Sequence, residues 1–295
     1  MKDKKSVYDI VNERIIESLE KGCVPWIKPW KGGASQGPRN AITNHPYRGM
    51  NVWLTSLKSM EYNDARFLTY KQAEKAKGQV RKGEKGLPIV HWNIFRSKTE
   101  VDAKGEPKKI FSPSYYTVFN VAQCDNLELP KQKEILPLEP IAACETIVSG
   151  YTNAPVVSFG HGRACYSPTI DEVRMPEPGT FSSPEKFYSV LFHELGHSTG
   201  AKSRLYREGV TERHYFGDDA YSKEELIAEM TAGYLCAFAG VENDTLEMSA
   251  SYIDSWLKAL KSDSKLLVQA AQKAQKASDH ILGVKYTEKE EQTEV

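Results

Sequence analysis

Residues 181–200, FSSPEKFYSVLFHELGHSTG, constrain this chain more than any other stretch. The pattern predicts one helix. Ser183 supplies an N-cap hydroxyl for the unpaired N–H groups of the first turn, and Pro184 follows where a missing N–H costs nothing. Phe187, Val190, Leu191 and Leu195 recur at helical spacing and form a buried stripe. Gly200 is expected to end the helix in the left-handed conformation. Inside lies His193-Glu194-Leu195-Gly196-His197, an H-E-x-x-H motif. Residues i and i+4 stand one above the other on a helix, so His193 and His197 can aim at one ion. Zinc suits that pair best, although another divalent ion is possible. Glu194 stands where a general base is needed. A catalytic zinc usually takes three protein ligands, so a third is expected elsewhere.

A second helix is expected over residues 222–239, SKEELIAEMTAGYLCAFA, stopped by Gly240. Ser222 and Glu225 have capping-box spacing. Glu225 and Glu229 share a face at i, i+4. Either can be the third ligand. Glu229 lies one turn deeper, among Ala228, Ala232, Gly233 and Cys236, where a carboxylate needs a partner. Depth therefore favours Glu229. Zinc peptidases with a Glu ligand often divide two such acids between ligand and support for a ligand histidine, and that analogy favours Glu225.

The formal net charge of zero hides a split. Residues 1–125 hold 22 Lys and Arg against 13 Asp and Glu, and the remainder holds 17 against 26. A basic half beside an acidic one points to a nucleic-acid partner for the first. Four of the five tryptophans, Trp26, Trp30, Trp53 and Trp92, lie in that basic half. Aromatic rings among cations suit single-stranded nucleic acid, because bases stack on rings while cations follow phosphates. Trp53 and Trp92 are expected in the core. Trp26 and Trp30, in PWIKPW with Lys28 between them, are expected at the surface. Tyr47, Arg48, Lys71, Arg81, Lys82 and Lys85 complete the candidate DNA-binding set.

The 295 residues suffice for two domains. Cys23, Cys124, Cys144, Cys165 and Cys236 are scattered without a C-x-x-C pair, which argues for a reducing compartment and against a thiolate metal site. The first residues lack the apolar core of a secretory signal, and no apolar run approaches the ~18 residues of a membrane span. A cytoplasmic protein with no membrane partner is the expectation. Helices are expected over 5–21, 51–61, 69–77, 140–149, 249–260 and 265–282. Strands are expected over 87–95 and 115–121, with 97–109 as a polar loop between them, and again within 156–166 around Gly160 and Gly162. Residues 156–166 are the natural edge for an extended peptide to join. Residues 171–178 are expected to lead into the metal helix. The boundaries drawn are 1–125, a linker at 126–136, a second domain at 137–285 and an acidic tail at 286–295.

Several stretches taken in order resemble one family. They are PWIKPW, residues 40–51 with YRGMN, TYKQA, VRKGEKG, YYTVFNVAQ, FHELGHSTG, EELIAE, SASYIDSWLKALKSD and AAQKAQKASDHIL. The chain is similar over nearly its whole length to the ArdC-type antirestriction proteins of conjugative plasmids, which are related to the N-terminal regions of some plasmid primases. The resemblance implies an α+β protein of two domains, a mixed α/β domain that binds single-stranded DNA nonspecifically and a zincin-like metallopeptidase domain. It implies a role in protecting incoming single-stranded plasmid DNA from host restriction. Composition and spacing alone reach only a basic aromatic module joined to a metal-dependent hydrolase. Two readings follow. One is a DNA-tethered zinc peptidase acting on an unidentified protein or peptide, with Tyr215, Tyr221 or Tyr252 supporting the oxyanion. The other is a DNA-shielding protein whose metal domain is structural or regulatory.

Overall fold

The computed structural model describes residues 5–27, 37–62, 64–101, 105–130, 139–212, 219–243 and 250–284. Lys28, Trp30, Tyr215, residues 131–136 of the expected linker and the acidic tail lie outside the described residues.

The chain opens with helix α1, Val7–Glu20, closed at its start by a reciprocal Ser6–Asp9 capping box. Val11, Ile15 and Leu19 are its buried face. A mixed sheet follows, in the order β1 (Arg39–Asn40), β2 (Arg66–Thr69), β5 (Pro107–Asn120), β4 (Leu87–Val101). β1 and β2 run parallel, and the other neighbours are antiparallel. Helix α2, Met50–Tyr62, lies along the outer edge of β4. There Asn51 Nδ2 donates to Val90 O at 2.8 Å, and Asn51 Oδ1 accepts from Val90 N at 2.7 Å. Helix α3, Tyr70–Lys75, starts from a Thr69–Gln72 capping box, and β3 (Gln79–Val80) pairs with β6 (Cys124–Asp125).

The β4–β5 ribbon is longer than the sequence predicts, since residues 97–101 and 107–109 continue the strands. Ser97 Oγ accepts from the N–H groups of Thr99 and Glu100 where the register shifts, and Lys108 meets Glu100 at 2.7 Å. Local polar pairing thus extends strands that lack an apolar pattern. The described part of the expected linker is packed chain. Leu127 and Leu129 cover Leu68, Ala73 and Val80, and Glu128 N donates to Ala76 O.

The second half contains α4 (Pro140–Gly150), a small sheet, α5 (Pro184–Ser198), the short α6 (Glu208–Thr211), α7 (Asp219–Ala239), α8 (Ala250–Ser262) and α9 (Leu266–Leu282). The small sheet has the order β7 (Val156–Ser158), β9 (Glu172–Arg174), β8 (Cys165–Ser167). β7 and β8 are its edges, as expected for 156–166. The central strand β9 falls in the segment expected only to lead into the metal helix.

Helix α7 is buried on both sides, which is why its sequence is apolar nearly all round. One side carries Leu226, Ile227, Met230 and Tyr234 into a core shared with Val11, Ile15, Trp26, Trp53 and Trp256. The other carries Ala232, Leu235 and Cys236 into a core with Cys144, Val173, Met175, Phe192 and Leu195. The first core therefore joins the two segments drawn as separate domains. Gly233 makes the junction possible, because a Cβ there would stand 2.7 Å from Trp26 O and 3.0 Å from the Trp53 ring. Arg48 adds an ion pair to Asp279, and Asn12 Nδ2 donates to Leu260 O across the same seam.

Candidate metal centre

Helix α5 begins as its sequence predicts. Ser183 Oγ accepts from Lys186 N at 3.2 Å, and Pro184 is the first helical residue. Its end differs, since Gly200 does not take the left-handed conformation. Glycine is required there for space instead, because a Cβ would lie 2.5 Å from Val210 Cγ2 and 3.1 Å from the Arg207 guanidinium. Gly196, inside the motif, faces α7. A Cβ there would meet Thr231 Cβ at 3.2 Å and Ala228 Cα at 3.3 Å. The motif glycine thus lets α5 lie close against the helix that carries the acids.

The two motif imidazoles converge. His193 Nε2 and His197 Nε2 are 3.1 Å apart. The Glu225 carboxylate spans them, with one oxygen 3.5 Å from His193 Nε2 and the other 3.5 Å from His197 Nε2. One ligand atom from each of these three residues lies within 4.8 Å of the others. Two nitrogens and a carboxylate oxygen at that spacing fit a single divalent ion.

Glu229 faces the opposite nitrogen, with Oε1 3.2 Å from His193 Nδ1. Depth favours Glu229 as the third ligand, whereas the geometry favours Glu225, which meets both Nε2 atoms. Position 229 is the more buried, but its carboxylate reaches the back of His193. The capping-box spacing of Ser222 and Glu225 also misleads, because α7 starts at Asp219. Glu225 is therefore an interior helical residue rather than a cap, and it stands a full turn nearer the point where the imidazoles meet.

Glu224 escaped the sequence reading. Its Oε1 lies 3.4 Å from His197 Nδ1, and Arg207 grips the same carboxylate with Nε and Nη2 at 2.9 and 2.6 Å. Arg207 also donates to Thr199 Oγ1 at 2.6 Å and Gly196 O at 2.8 Å, satisfying acceptors at the open end of α5. Burial pushes the Glu224 carboxyl up, but hydrogen bonds from His197 and Arg207 outweigh it and hold the acid below its usual range. Each motif histidine thus has a carboxylate behind its Nδ1, an arrangement that fixes ring orientation and directs Nε2 at the ion. Burial pulls the His193 pKa down, while Glu229, then Glu225 and Glu194, reverse this and raise it well above the ordinary value. Glu194 follows His193 on α5 and is itself buried.

The DNA-binding candidates separate differently. Trp26 is 0% exposed and packs edge-on to Trp256, with centroids 5.4 Å apart. Tyr47 is buried against Phe67. Arg48 is half-buried in its pair with Asp279. None of the three offers a face for a base, because the seam between the halves occupies Trp26 and Arg48 and Phe67 covers Tyr47. Arg81 is at the surface but meets Glu84 and Asp125, while Lys71, Lys82 and Lys85 are exposed. Trp53 is buried and Trp92 is partly buried against Tyr8, both as expected. Tyr221 and Tyr252 fall on α7 and α8, but their side chains lie outside the described residues. Among the described residues no helix is long and apolar enough to cross a membrane.

Residues 5–119 match the family model for the N-terminal domain of the anti-restriction factor ArdC, and residues 143–273 match a zincin-like metallopeptidase model. A zincin-like domain implies a divalent metal. The metal-free crystal structure of the antirestriction protein ArdC from the R388 plasmid superposes with a TM-score of 0.73 at 36% identity, covering 96% of this chain and 100% of that one. The Mn(II)-bound structure of the same protein gives 0.73 at 35%, covering 95% and 98%. An uncharacterized protein, y4eC of Sinorhizobium fredii, is 34% identical over 284 residues, 92% of this chain and 90% of that protein. Two Escherichia coli proteins named DNA primase TraC are 36% and 35% identical, but the chain spans only 28% and 20% of their length. With both domain models in order and a relative matched from end to end, the chain belongs to the ArdC antirestriction family, an ArdC N-terminal domain followed by a zincin-like metallopeptidase domain.

Proposed function

We propose that this chain is a metal-dependent peptidase, with zinc as its ion, joined to a module that binds single-stranded DNA, and that it protects incoming plasmid DNA from restriction in the cytoplasm of the recipient. The observation that carries the peptidase reading is the convergence of His193, His197 and Glu225, with Glu194 adjacent. Two imidazoles and one carboxylate suit zinc better than a hard, oxygen-seeking ion. An ion held there would polarise a substrate carbonyl and make water acidic enough to attack near neutral pH. Glu224 and Glu229 keep the two imidazoles aimed. The Glu194 carboxylate takes the proton of the attacking water and returns it to the departing amine nitrogen. The edge strands β7 and β8 offer backbone N–H and C=O groups to an extended peptide. The Mn(II)-bound relative supports a divalent ion in this family.

The DNA half of the reading rests on the basic charge of residues 1–125 and on the ArdC N-terminal match. A second reading has its own observation. Helix α7 carries the acids and also fills the core of the N-terminal half, so an ion that fixes α7 can serve as a brace for a DNA-shielding protein. One substitution separates the two. Glu194→Ala should leave metal content unchanged and abolish cleavage of a peptide library by the full-length protein. Cleavage that survives it removes the peptidase reading. Plasmid transfer into a restricting recipient that stays fully protected by Glu194→Ala favours the brace.

A further inference from the structure

With Trp26 and Tyr47 buried, the exposed rings among the described residues become candidates for stacking on single-stranded DNA. We infer that the β4–β5 ribbon is the surface on which single-stranded DNA lies, an inference that rests on the DNA-binding reading and gives it a location. Residues 87–99 and 107–120 contain Arg96, Lys98, Lys108 and Lys109 and no acidic residue. The acids between the two stretches are Glu100, Asp102 and Glu106, and Glu100 pairs with Lys108. The same strands expose rings. Phe95 is 56% exposed, Tyr115 44% and Tyr116 39%, with Ile110 exposed opposite Phe95 in the register.

The layout suits an unpaired strand. From Leu87 to Arg96 the ribbon is about 30 Å long at ~3.4 Å per residue. Lys82 and Lys85 are exposed at its base, and Arg96 and Lys98 are exposed toward its tip. Tyr116 pairs with Ile89, and Phe95 lies six residues farther along the same strand as Ile89, so both rings stand on one face of the ribbon. Cations therefore bracket the rings, and the rings are spaced for more than one base. A ribbon that shows aromatic surface on an edge strand invites association. Unbalanced positive charge selects a polyanion over a second copy of this ribbon. Exposed rings select unpaired bases over a duplex, whose bases are already stacked.

Fluorescence anisotropy with a labelled 20-base oligodeoxynucleotide and the full-length protein tests this. Phe95→Ala/Tyr116→Ala should weaken binding about 5- to 100-fold, as expected when one or two bases no longer stack. Arg96→Ala/Lys98→Ala should flatten the salt dependence by roughly 0.7 in log–log slope for each phosphate no longer neutralised. Lys258→Ala, on α8, should bind as the unaltered protein does. The replaced rings are exposed, so thermal unfolding should be unchanged. A second measurement needs no variant. Photocrosslinking to 5-iodouracil oligonucleotides should map to peptides within residues 87–101 or 107–120, and crosslinks confined to other peptides overturn the location. If the unaltered protein binds and both double variants bind equally well, the location is wrong while the DNA reading stands. If it does not bind at all, both fall. Equal losses on single-stranded and duplex DNA would show that the rings do not stack on bases.

Discussion

The indole of Trp53 stacks on the phenol of Tyr234, with ring centroids 4.4 Å apart and planes 20° from parallel. Trp53 belongs to the ArdC N-terminal segment and Tyr234 to the metallopeptidase segment, nine residues beyond Glu225 on the same helix. Trp26, Trp256 and Gly233 close around this pair. The halves share a core, and that has thermodynamic consequences.

Calorimetry of the full-length protein should show one cooperative transition. Trp53→Ala should lower stability by about 3–5 kcal/mol, the usual cost of emptying a buried aromatic site, and should move the whole transition. Two transitions, with only the earlier one shifted, would contradict the shared core.

The two glutamates of α7 should separate in a chelator competition. Glu225→Ala should abolish stoichiometric metal binding, because it removes a donor that faces both Nε2 atoms. Glu229→Gln should weaken affinity by about 10- to 100-fold, the effect of removing support behind a ligand histidine. The opposite ranking would return the ligand role to Glu229.

Helix boundaries explain why the sequence left that choice open. The start and the apolar stripe of the H-E-x-x-H helix were legible, because cap, first proline and stripe agree with one another, but its end was not, since Gly200 is needed for packing against Val210 and Arg207. The start of α7 was not. Ser222 and Glu225 have the spacing of a capping box, and only the helix beginning at Asp219 shows that Glu225 is not spent on one. Glu224 was hidden because its partner, Arg207, is distant in sequence and holds it through tertiary packing alone. Trp26 misled for a similar reason. Flanking prolines and lysines describe a surface segment, but Gly233 leaves a space on α7 that the Trp26 carbonyl and Cβ and the edge of the Trp53 ring occupy. The ribbon between residues 97 and 109 lacked any period-two apolar signal, since both faces of its outer part meet water.

Gly196→Ala should weaken metal binding without touching a ligand. The added methyl would press on Thr231 and Ala228, and such overpacking typically costs about 1–3 kcal/mol. Because His193 and His197 sit on α5 and Glu225 on α7, parting the helices parts the donors. Denaturation and metal competition on the same sample check this. Unchanged affinity in a destabilised variant would show that the site tolerates the shift.

Acid should act through Asp171. Two 2.8 Å hydrogen bonds from Arg204 hold its carboxyl below the usual range, against burial and with help from Tyr166. A depressed folded value adds stability that is complete above the unfolded value of about 3.9 and is lost as pH falls through the folded value. The stability gap between the unaltered protein and Asp171→Asn should hold steady from neutral pH to about 5 and begin to shrink below about 4. A gap that stays constant to about pH 3 would contradict this.

The central claim is that His193, His197 and Glu225 hold one divalent ion, and an anomalous difference map collected above the zinc absorption edge on zinc-loaded crystals tests it most directly. The account predicts a single strong peak bounded by the two Nε2 atoms and the Glu225 carboxylate, with Glu224 and Glu229 each behind an Nδ1. A peak bounded by Glu229 in place of Glu225, or no peak beside His193 and His197 in a fully loaded crystal, would contradict it.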